Sequence, residues 1–550
     1  MSAAQRSWWG WGLADHAVPA AEVEAMAPLV SQSLGCEVQR REPATLASLQ
    51  LREPRIAAPH SLSEICSVEV EDRAGHSYGK SFRDVVRGFR GEFPNPPDAV
   101  ARPRNEAELV SLLDWCGSEG IAAIPYGAGS SVVGGVESGG DWDEQFSGVV
   151  SIDLVHLDRV VEVDHESRAA LIQAGATGPR LEDQLRPHGL TLRHYPQSFE
   201  FSTLGGWIAT RSGGHYATGR THIEDFVEST RMITPRGPME SRRLPGSGAG
   251  PSPDRLVAGS EGILGVISEA WMRLQDRPAH KATAAIPFDS FASGVAAARR
   301  LAQSSLWPTN CRLLDPGEAA ANAGGAGEAI LVLGFESAHE PVDADIRAAL
   351  EICADSGGDV SAGARISGPP GSGSAGETSD AQSGSAPHPA ESWRSAFLRA
   401  PYLRDAMVSL GCIAETFETA VTWDRFDELH QEVARTAADS LARVCGGGTL
   451  TCRFTHVYPD GAAPYFTVLA PSRHGEQLAM WDEVKAAVSE AIFETGGTIT
   501  HHHAVGRDHR GVYDRQRPDL FAETLGAAKS TLDPDGILNP GVLIDPLPRP

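Results

Sequence analysis

Apolar residues recur along this chain in two rhythms, a helical one and a strand-like one, and the two change places several times. After Asn105, the residues Leu109, Val110, Leu112, Leu113 and Cys116 fall at helical spacing, and Asn105 with Glu108 reads as a capping box that starts the helix. IAAIPY (121–126) is a short unbroken apolar run, the pattern of a buried strand, and it leads into a glycine-rich stretch. GVVSIDL (148–154), RVVEVDH (159–165) and AALIQAGA (169–176) predict further strands, and GPRLEDQLRPHG predicts a short helix after them. Short strands and helices separated by turn residues predict an α+β domain over 96–276.

From 277 to 500 the rhythms alternate again. SFASGVAAARRLAQ (290–303) and FDELHQEVARTAADSLARV (426–444) predict amphipathic helices, and EAILVLGF (328–335) and APYFTVLA (463–470) predict strands. Residues 357–391 are dominated by Gly, Ser, Ala and Pro, which cannot bury enough apolar surface to fold, so they predict a mobile insert. Residues 1–95 predict a mostly helical entry segment in which Trp8, Trp9 and Trp11 act as packed anchors. Residues 501–550 predict an amphipathic helix, an Asp-Pro-Asp-Gly turn and a short strand ending at Asn539-Pro540-Gly541. No internal repeat is visible.

Composition narrows the function. A chain of 550 residues is too long for a single core and predicts two to four domains. With 47 basic against 72 acidic residues the net charge is −25, which repels a phosphate backbone and excludes general nucleic-acid binding. An anionic substrate then requires a locally basic pocket. Eight scattered cysteines without a CxxC pair predict reduced, mostly buried thiols and a cytoplasmic location. No window approaches a membrane span and no signal-peptide pattern is present, so a lipid substrate would have to be met from outside the membrane, by peripheral contact.

The glycine stretch PYGAGSSVVGG (125–135) follows the buried strand, where positive φ and close backbone approach would turn successive N–H groups toward an anion. It is not a G-x-G-x-x-G fingerprint, because Val132 holds the third glycine position, and no Gly-Lys-Ser/Thr makes it a Walker loop. Alone, it fits a tight turn as well as a pyrophosphate site. Three further segments offer backbone donors and small side chains: QSFEFSTLGGWIATRSGG (197–214), HIEDFVESTRMITPRG (222–237) and AGSEGILGVISEAWMRL (258–274).

In this order and spacing, these segments resemble the PCMH-type FAD-binding domain of the vanillyl-alcohol-oxidase superfamily. Within it the chain is similar to the alkyldihydroxyacetonephosphate synthase family, from the WWGWG segment through GHSYGKSFRDVVRGF (75–89) to GILNPGVLI. The resemblance implies an FAD-binding domain of two subdomains, a substrate-binding cap with an antiparallel sheet flanked by helices, and a C-terminal segment returning to the FAD domain. It implies that Pro125, Tyr126, Gly127, Ala128, Gly129, Ser130 and Ser131 wrap the FAD pyrophosphate. Gln197, Ser198, Phe199, Glu200, Phe201, Ser202 and Thr203, then Thr210, Arg211, Ser212 and Gly213, then Gly259, Ser260, Glu261, Gly262, Ile263, Leu264 and Gly265 would line the ribityl and isoalloxazine regions. The approach to the glycine loop carries no His or Cys, so FAD is expected to be dissociable.

Candidate chemistry sits in the second half. In THHHAVG (500–506), adjacent residues of a strand would face opposite ways, so His501 and His503 would share a face; metal binding, proton transfer or substrate binding, and a structural role all remain open. TCRFTHVYPDGAAPYFTV (451–468) holds His456 and Tyr465, and a phenol with a reference pKa of about 10 needs a nearby cation or charged flavin to act as acid or base. Arg404, beside Asp405, and Arg312, in CRLLD, could form structural ion pairs or clamp an anion bidentately.

The family resemblance falls on these same residues. It implies Arg404, Tyr465 and His502 as catalytic, Arg312, His501 and His503 as substrate-binding, and no metal. It further implies that oxidised flavin N5 attacks C1 of acyl-dihydroxyacetone phosphate, that the acyl group leaves as a fatty acid, and that a fatty alcohol takes its place, without net redox. A homodimer is the expected assembly. The chain departs from the family at GGHYATGRTHIED (213–225), where His215 and Arg220 would substitute for a basic or Tyr-Gly stretch, and at Ala504, where glycine is usual. Two rival readings stand beside this one. One is an FAD-dependent 2-hydroxyacid dehydrogenase, whose H-x-G-D-G-N-x-H and E-H-G-x-G segments correspond here to THVYPDGAAPY and HHHAVG. The other is a non-catalytic flavin-binding protein.

Overall fold

The computed structural model describes residues 5–368 and 389–546, with the side chains of 389–398 excepted. The larger part of the expected insert, 369–388, therefore lies outside the described residues. Its first part does not behave as expected: Arg365–Ser367 forms an edge strand on Lys281–Thr283 of the cap sheet.

Strand Ile121–Tyr126 runs parallel to Gly148–Asp153, which is parallel in turn to Ala99–Ala101, with Cys66–Ser67 as an antiparallel edge. Gly148–Asp153 is buried throughout, as expected of parallel strands covered on both faces. The second sheet is antiparallel, in the order Val160–Asp164, Ala169–Gln173, Val266–Arg273, Val227–Thr234 and Gly237–Glu240. The two sheets share one hydrophobic core that also takes in Leu204, Trp207 and Ile208 of helix Leu204–Thr210. The helix expected after Asn105 is Glu106–Glu119, but half of its capping box is missing. Asn105 accepts from the Glu108 amide at 3.0 Å, while the Glu108 carboxylate folds back onto the amide of Arg104 instead.

A second core forms between the cap sheet and its helices Phe291–Ala302, Asp343–Asp355, Phe426–Cys445 and Gln477–Glu494. The sheet runs 365–367, 280–288, 329–337, 310–314, 449–457, 461–471, 412–418, antiparallel throughout, with Val421–Thr422 also paired to 461–471. The entry segment belongs to both halves. Phe82, Val85, Val86 and Phe89 of helix Phe82–Arg90 sit in the cap core, each such burial contributing about 1.5–3 kcal/mol. Trp8 packs on Phe93, Trp9 on Phe89 and Trp11 on Phe201, so these tryptophans are anchors.

The C-terminal segment returns to the FAD domain. Helix Asp519–Leu532 is present, but the expected strand before Asn539 is reduced to an isolated parallel bridge from Leu538 to Ala123. The Asn539 side chain donates to the carbonyls of Gly135 and Glu261, at 3.0 and 2.7 Å, joining two loops far apart in sequence.

Candidate active site

The turn after Ile121–Tyr126 has the shape its glycines require. Gly129 adopts φ +71, and a Cβ there would collide with the Tyr126 hydroxyl; a Cβ on Gly127 would collide with the Thr203 hydroxyl. Among the described residues, the amides of Ala128, Gly129, Ser130 and Ser131 donate no hydrogen bond. Ala128, Gly129 and Ser130 border a cavity of about 270 Å³. Ser260 Oγ, on the facing loop, is buried without a partner. A turn of uncommitted amides and an orphaned hydroxyl fit a large anionic cofactor and are costly otherwise.

The remaining expected cofactor residues divide by what they touch. Gly213 sits against the histidine cluster, where a Cβ would stand 3.0 Å from His502 Cβ and 3.2 Å from His456 Cε1. Thr203 caps helix Leu204–Thr210, and Ser202 accepts from Trp207 Nε1 at 2.7 Å and donates to Ser198. Thr210 Oγ1 bonds back to Gly206, Phe199 stacks on Trp207, and Gln197 and Phe201 are half-buried. Four of these side chains are either sealed in the core or open to solvent. Ile263 and Leu264 are wholly buried in the hydrophobic core, because the strand they lead into begins there. Glu200 is exposed, and Arg211 is exposed and tied to Glu224 at 2.6 Å. Gly259 and Gly262 take positive φ, and Gly265 packs on Met232, so these act through backbone shape. Pro125 lies under Gly262, and Tyr126 donates to Gly75 O.

The histidines are not in a strand. Residues 501–503 form a bend wrapped around the carboxylate of Glu418, which accepts from the amides of His501 (2.7 Å), His502 (3.1 Å) and His503 (2.9 Å) and from Thr500 Oγ1. His502 Nδ1 lies 3.2 Å from the same carboxylate. Burial works to raise the Glu418 carboxyl, but the His502 and His503 side chains outweigh it and hold the group well below the usual carboxylate range. The next residues of the turn reach the other domain, where the amides of Val505 and Gly506 donate to Glu261 at 2.9 and 2.8 Å. Burial pushes Glu261 up to about 7 against those two bonds. Ala504, between the two carboxylates, is forced to φ +74.

Tyr465 stands opposite Glu418 in the strand register. Its ring is 6.1 Å from that of His502, nearly parallel at 21°, and the Arg453 guanidinium lies 4.0 Å over its face. Burial raises the phenol and Arg453 draws it back, with a net upward shift, so it carries its proton at neutral pH. Arg453 pairs with Glu318, itself fixed at the start of helix Pro316–Asn322. Arg312 is 1% exposed and donates to His215 O at 2.8 Å. Burial, with Arg453 adding to it, lowers its guanidinium toward about 9, so an incoming phosphate or carboxylate would relieve both effects. Arg404 is placed elsewhere: it donates to Lys80 O and Asp405, on the side of the glycine turn, and no contact joins it to Tyr465 or His502 among the described residues.

The bend also overturns the expectation that His501 and His503 share a face. His501 and His502 approach through their Nδ1 atoms at 3.0 Å, and ring nitrogens of His456, His501 and His502 lie within 4.8 Å of one another, a separation an ion could bridge. Each also has a protein partner: His456 Nε2 to Gly214 O, His501 Nε2 to Tyr458 OH, His502 Nδ1 to Glu418. Burial, then neighbouring histidines, hold His456 and His501 well below their usual range, and burial holds His503 near 3. Tyr458 continues to Thr221, Thr221 to His222, and His222 back to His501 O. From sequence Glu418 stands out only as part of the Glu415, Thr416, Phe417, Glu418, Thr419 cluster after Arg404, with no role of its own, and Arg453, Tyr458 and Thr221 do not stand out. For Glu418 a signal existed, since in the AETFET strand Glu415 and Glu418 must face opposite sides.

Comparison with known proteins matches residues 97–241 to the family described as FAD binding domain and residues 277–543 to FAD linked oxidases, C-terminal domain. The chain is 31% identical over 499 residues to alkyldihydroxyacetonephosphate synthase of Dictyostelium discoideum, covering 86% of this chain and 77% of that protein. The chain belongs to the alkyldihydroxyacetonephosphate synthase family. The Caenorhabditis elegans synthase is 30% identical over 520 residues, covering 88% of this chain and 82% of that one. A solved alkyldihydroxyacetonephosphate synthase superposes with a TM-score of 0.78 at 25% identity, over 98% of this chain and 99% of that one. The expected α+β architecture of an FAD-binding domain and a cap thus holds, and FAD is the cofactor of this enzyme. The uncommitted amides of 128–131, the shapes of Gly127 and Gly129 and the orphaned Ser260 hydroxyl suit that group.

Proposed function

We propose that this enzyme exchanges the acyl group of acyl-dihydroxyacetone phosphate for a long-chain alcohol, giving an ether and a fatty acid. The observation that carries this reading is the pairing of Tyr465 with His502 between two fixed charges, Arg453 and Glu418. The reaction breaks one C–O bond to the departing carboxylate and forms one to the alcohol oxygen, with no net oxidation. FAD, when bound, supplies a nucleophilic ring nitrogen and is returned unchanged. Tyr465, protonated at neutral pH, is suited to donate a proton. His502 is suited to take the alcohol proton, with the Glu418 carboxylate stabilising the resulting imidazolium. Arg312 is suited to hold the phosphate or the leaving carboxylate, and Arg404 would act from the side of the glycine turn. Incubation with acyl-dihydroxyacetone phosphate and a labelled long-chain alcohol tests this. An alkyl ether without oxygen uptake is expected; flavin reduction by a simple hydroxy acid, with no ether, would sink the reading.

One observation favours a second reading, a metal-assisted 2-hydroxyacid dehydrogenase: the spacing of His456, His501 and His502. A Bacillus subtilis glycolate oxidase subunit, GlcD, is 23% identical over 82% of this chain. The buried His456 Nδ1, which has no partner, leaves room for an ion, whereas the partners held by His456 Nε2, His501 Nε2 and His502 Nδ1 weigh against it. We further propose dissociable FAD, a cytoplasmic homodimer and peripheral contact with membranes. Free thiols at all eight cysteines support a reducing compartment, and the exposed neighbours Leu520 and Phe521 offer an apolar surface for lipid. Sedimentation velocity and vesicle co-sedimentation test the last two.

A further inference from the structure

Lys80 is 8% exposed and lines the cavity beside the glycine turn, yet its ammonium makes no hydrogen bond or ion pair among the described residues. Its backbone is fastened to that turn, since the Lys80 amide donates to Ser131 O, and Gly79 could not carry a Cβ without striking the same carbonyl. Burial lowers the ammonium to about 8 despite Asp405 and Asp84 nearby. Both of those carboxylates are engaged: Asp405 with the Trp11 amide and Arg404, Asp84 with Arg87 at 2.8 Å.

The acids at the far end of the cavity are engaged as well. Asp72 pairs with Arg102 at 2.6 Å, Asp153 with His76 at 3.1 Å, and Glu71 accepts from Gln5. The cations left for a ligand are Lys80 and Arg6, the latter reaching the same turn through a bond to Ala128 O at 3.3 Å. A buried ammonium without a counter-charge is unfavourable unless something arrives to neutralise it. Residues Ala128, Gly129 and Ser130, whose amides are uncommitted, line the same cavity.

We infer that Lys80, assisted by Arg6 of the N-terminal segment, is a binding residue for a diphosphate held on the 128–131 amides, and that this diphosphate is the one in FAD. The segment Arg6–Gly12 then forms the outer wall of the cofactor site, as its place in the cavity lining shows. This inference concerns FAD binding and does not depend on the ether-forming reaction.

The test uses full-length Lys80→Met protein stripped of flavin and titrated with FAD and, separately, with riboflavin, which has no phosphate, by flavin fluorescence. The FAD Kd is expected to rise tenfold or more, the riboflavin Kd to change less than twofold, and the flavin-free variant to melt no lower than the parent. Arg6→Gln is expected to shift the FAD Kd in the same direction by less. Equal weakening of both ligands, or a lower melting temperature without flavin, would show a structural lysine and overturn the inference. An unchanged FAD Kd with altered inhibition by inorganic phosphate, or a raised KM for a phosphorylated substrate, would assign the cation to a substrate anion and equally overturn it.

Discussion

Glu418 and Glu261 hold the two ends of one turn: the first, on a cap strand, gathers the amides of His501–His503, and the second, in an FAD-domain loop, gathers those of Val505 and Gly506. The histidine bearing the proposed proton transfer is therefore positioned by both domains at once.

Replacing Glu418 with Gln keeps the shape but removes the charge. The turn should lose about 2–4 kcal/mol of stability, and kcat should fall at least tenfold while KM moves little, with an altered pH profile. Because the Glu418 carboxyl is held below its ordinary range, its contribution is present above that range and lost as pH falls through the depressed folded value. Urea melts of both proteins should converge in acid. A variant as stable and as active as the parent at neutral pH would contradict the positioning role.

Glu261 works in the opposite sense. With its carboxyl raised from an ordinary 4.5 to about 7, the folded protein holds a proton in that window that the unfolded chain has lost, so stability falls as pH rises and then levels off. The penalty above pH 7 is about 3 kcal/mol. Glu261→Gln should flatten the fall, and melting temperatures measured from pH 4.5 to 8 check it.

Tyr465→Phe and His502→Ala should abolish turnover by 100-fold or more while leaving yellow, folded protein, since neither side chain belongs to the glycine turn. Full activity in either variant, read by ether formation, would remove that residue from the mechanism.

Ala504 occupies the left-handed region at φ +74, where a Cβ is strained. Ala504→Gly should stabilise the protein by about 0.5–1 kcal/mol, the relief of strain exceeding the added freedom of the unfolded chain. A lower melting temperature would show that the alanine methyl contributes more through packing than it loses through strain.

Prolonged chelation should leave ether formation unchanged, because one ring nitrogen of each of His456, His501 and His502 already has a protein partner, although His456 Nδ1 is buried without one. Activity lost on chelation and restored by a divalent ion would transfer the site to the dehydrogenase reading.

What could be read from the chain beforehand was what is decided locally. Gly127 and Gly129 announce their turn because a side chain cannot fit there, and Ile121–Tyr126 announces its strand because it is apolar throughout. The histidines depart from the alternation of an extended chain because the shape of their segment is set by a carboxylate 83 residues away. The glycine neighbours of Ile263 and Leu264 point to a ligand wall, whereas the burial of these two side chains is dictated by the strand that follows. Lys80 lies inside the stretch GHSYGKSFRDVVRGF (75–89), but nothing there tells it apart, since its isolation comes from what surrounding acids are already bound to.

The joining of Gly135 and Glu261 through the Asn539 side chain also sets an order of events during synthesis. Every strand of the flavin domain has left the ribosome long before Asn539 is translated, so the nascent domain must wait with those two loops untied. The tie between these two loops is therefore among the last contacts of the flavin domain to form as the chain is made.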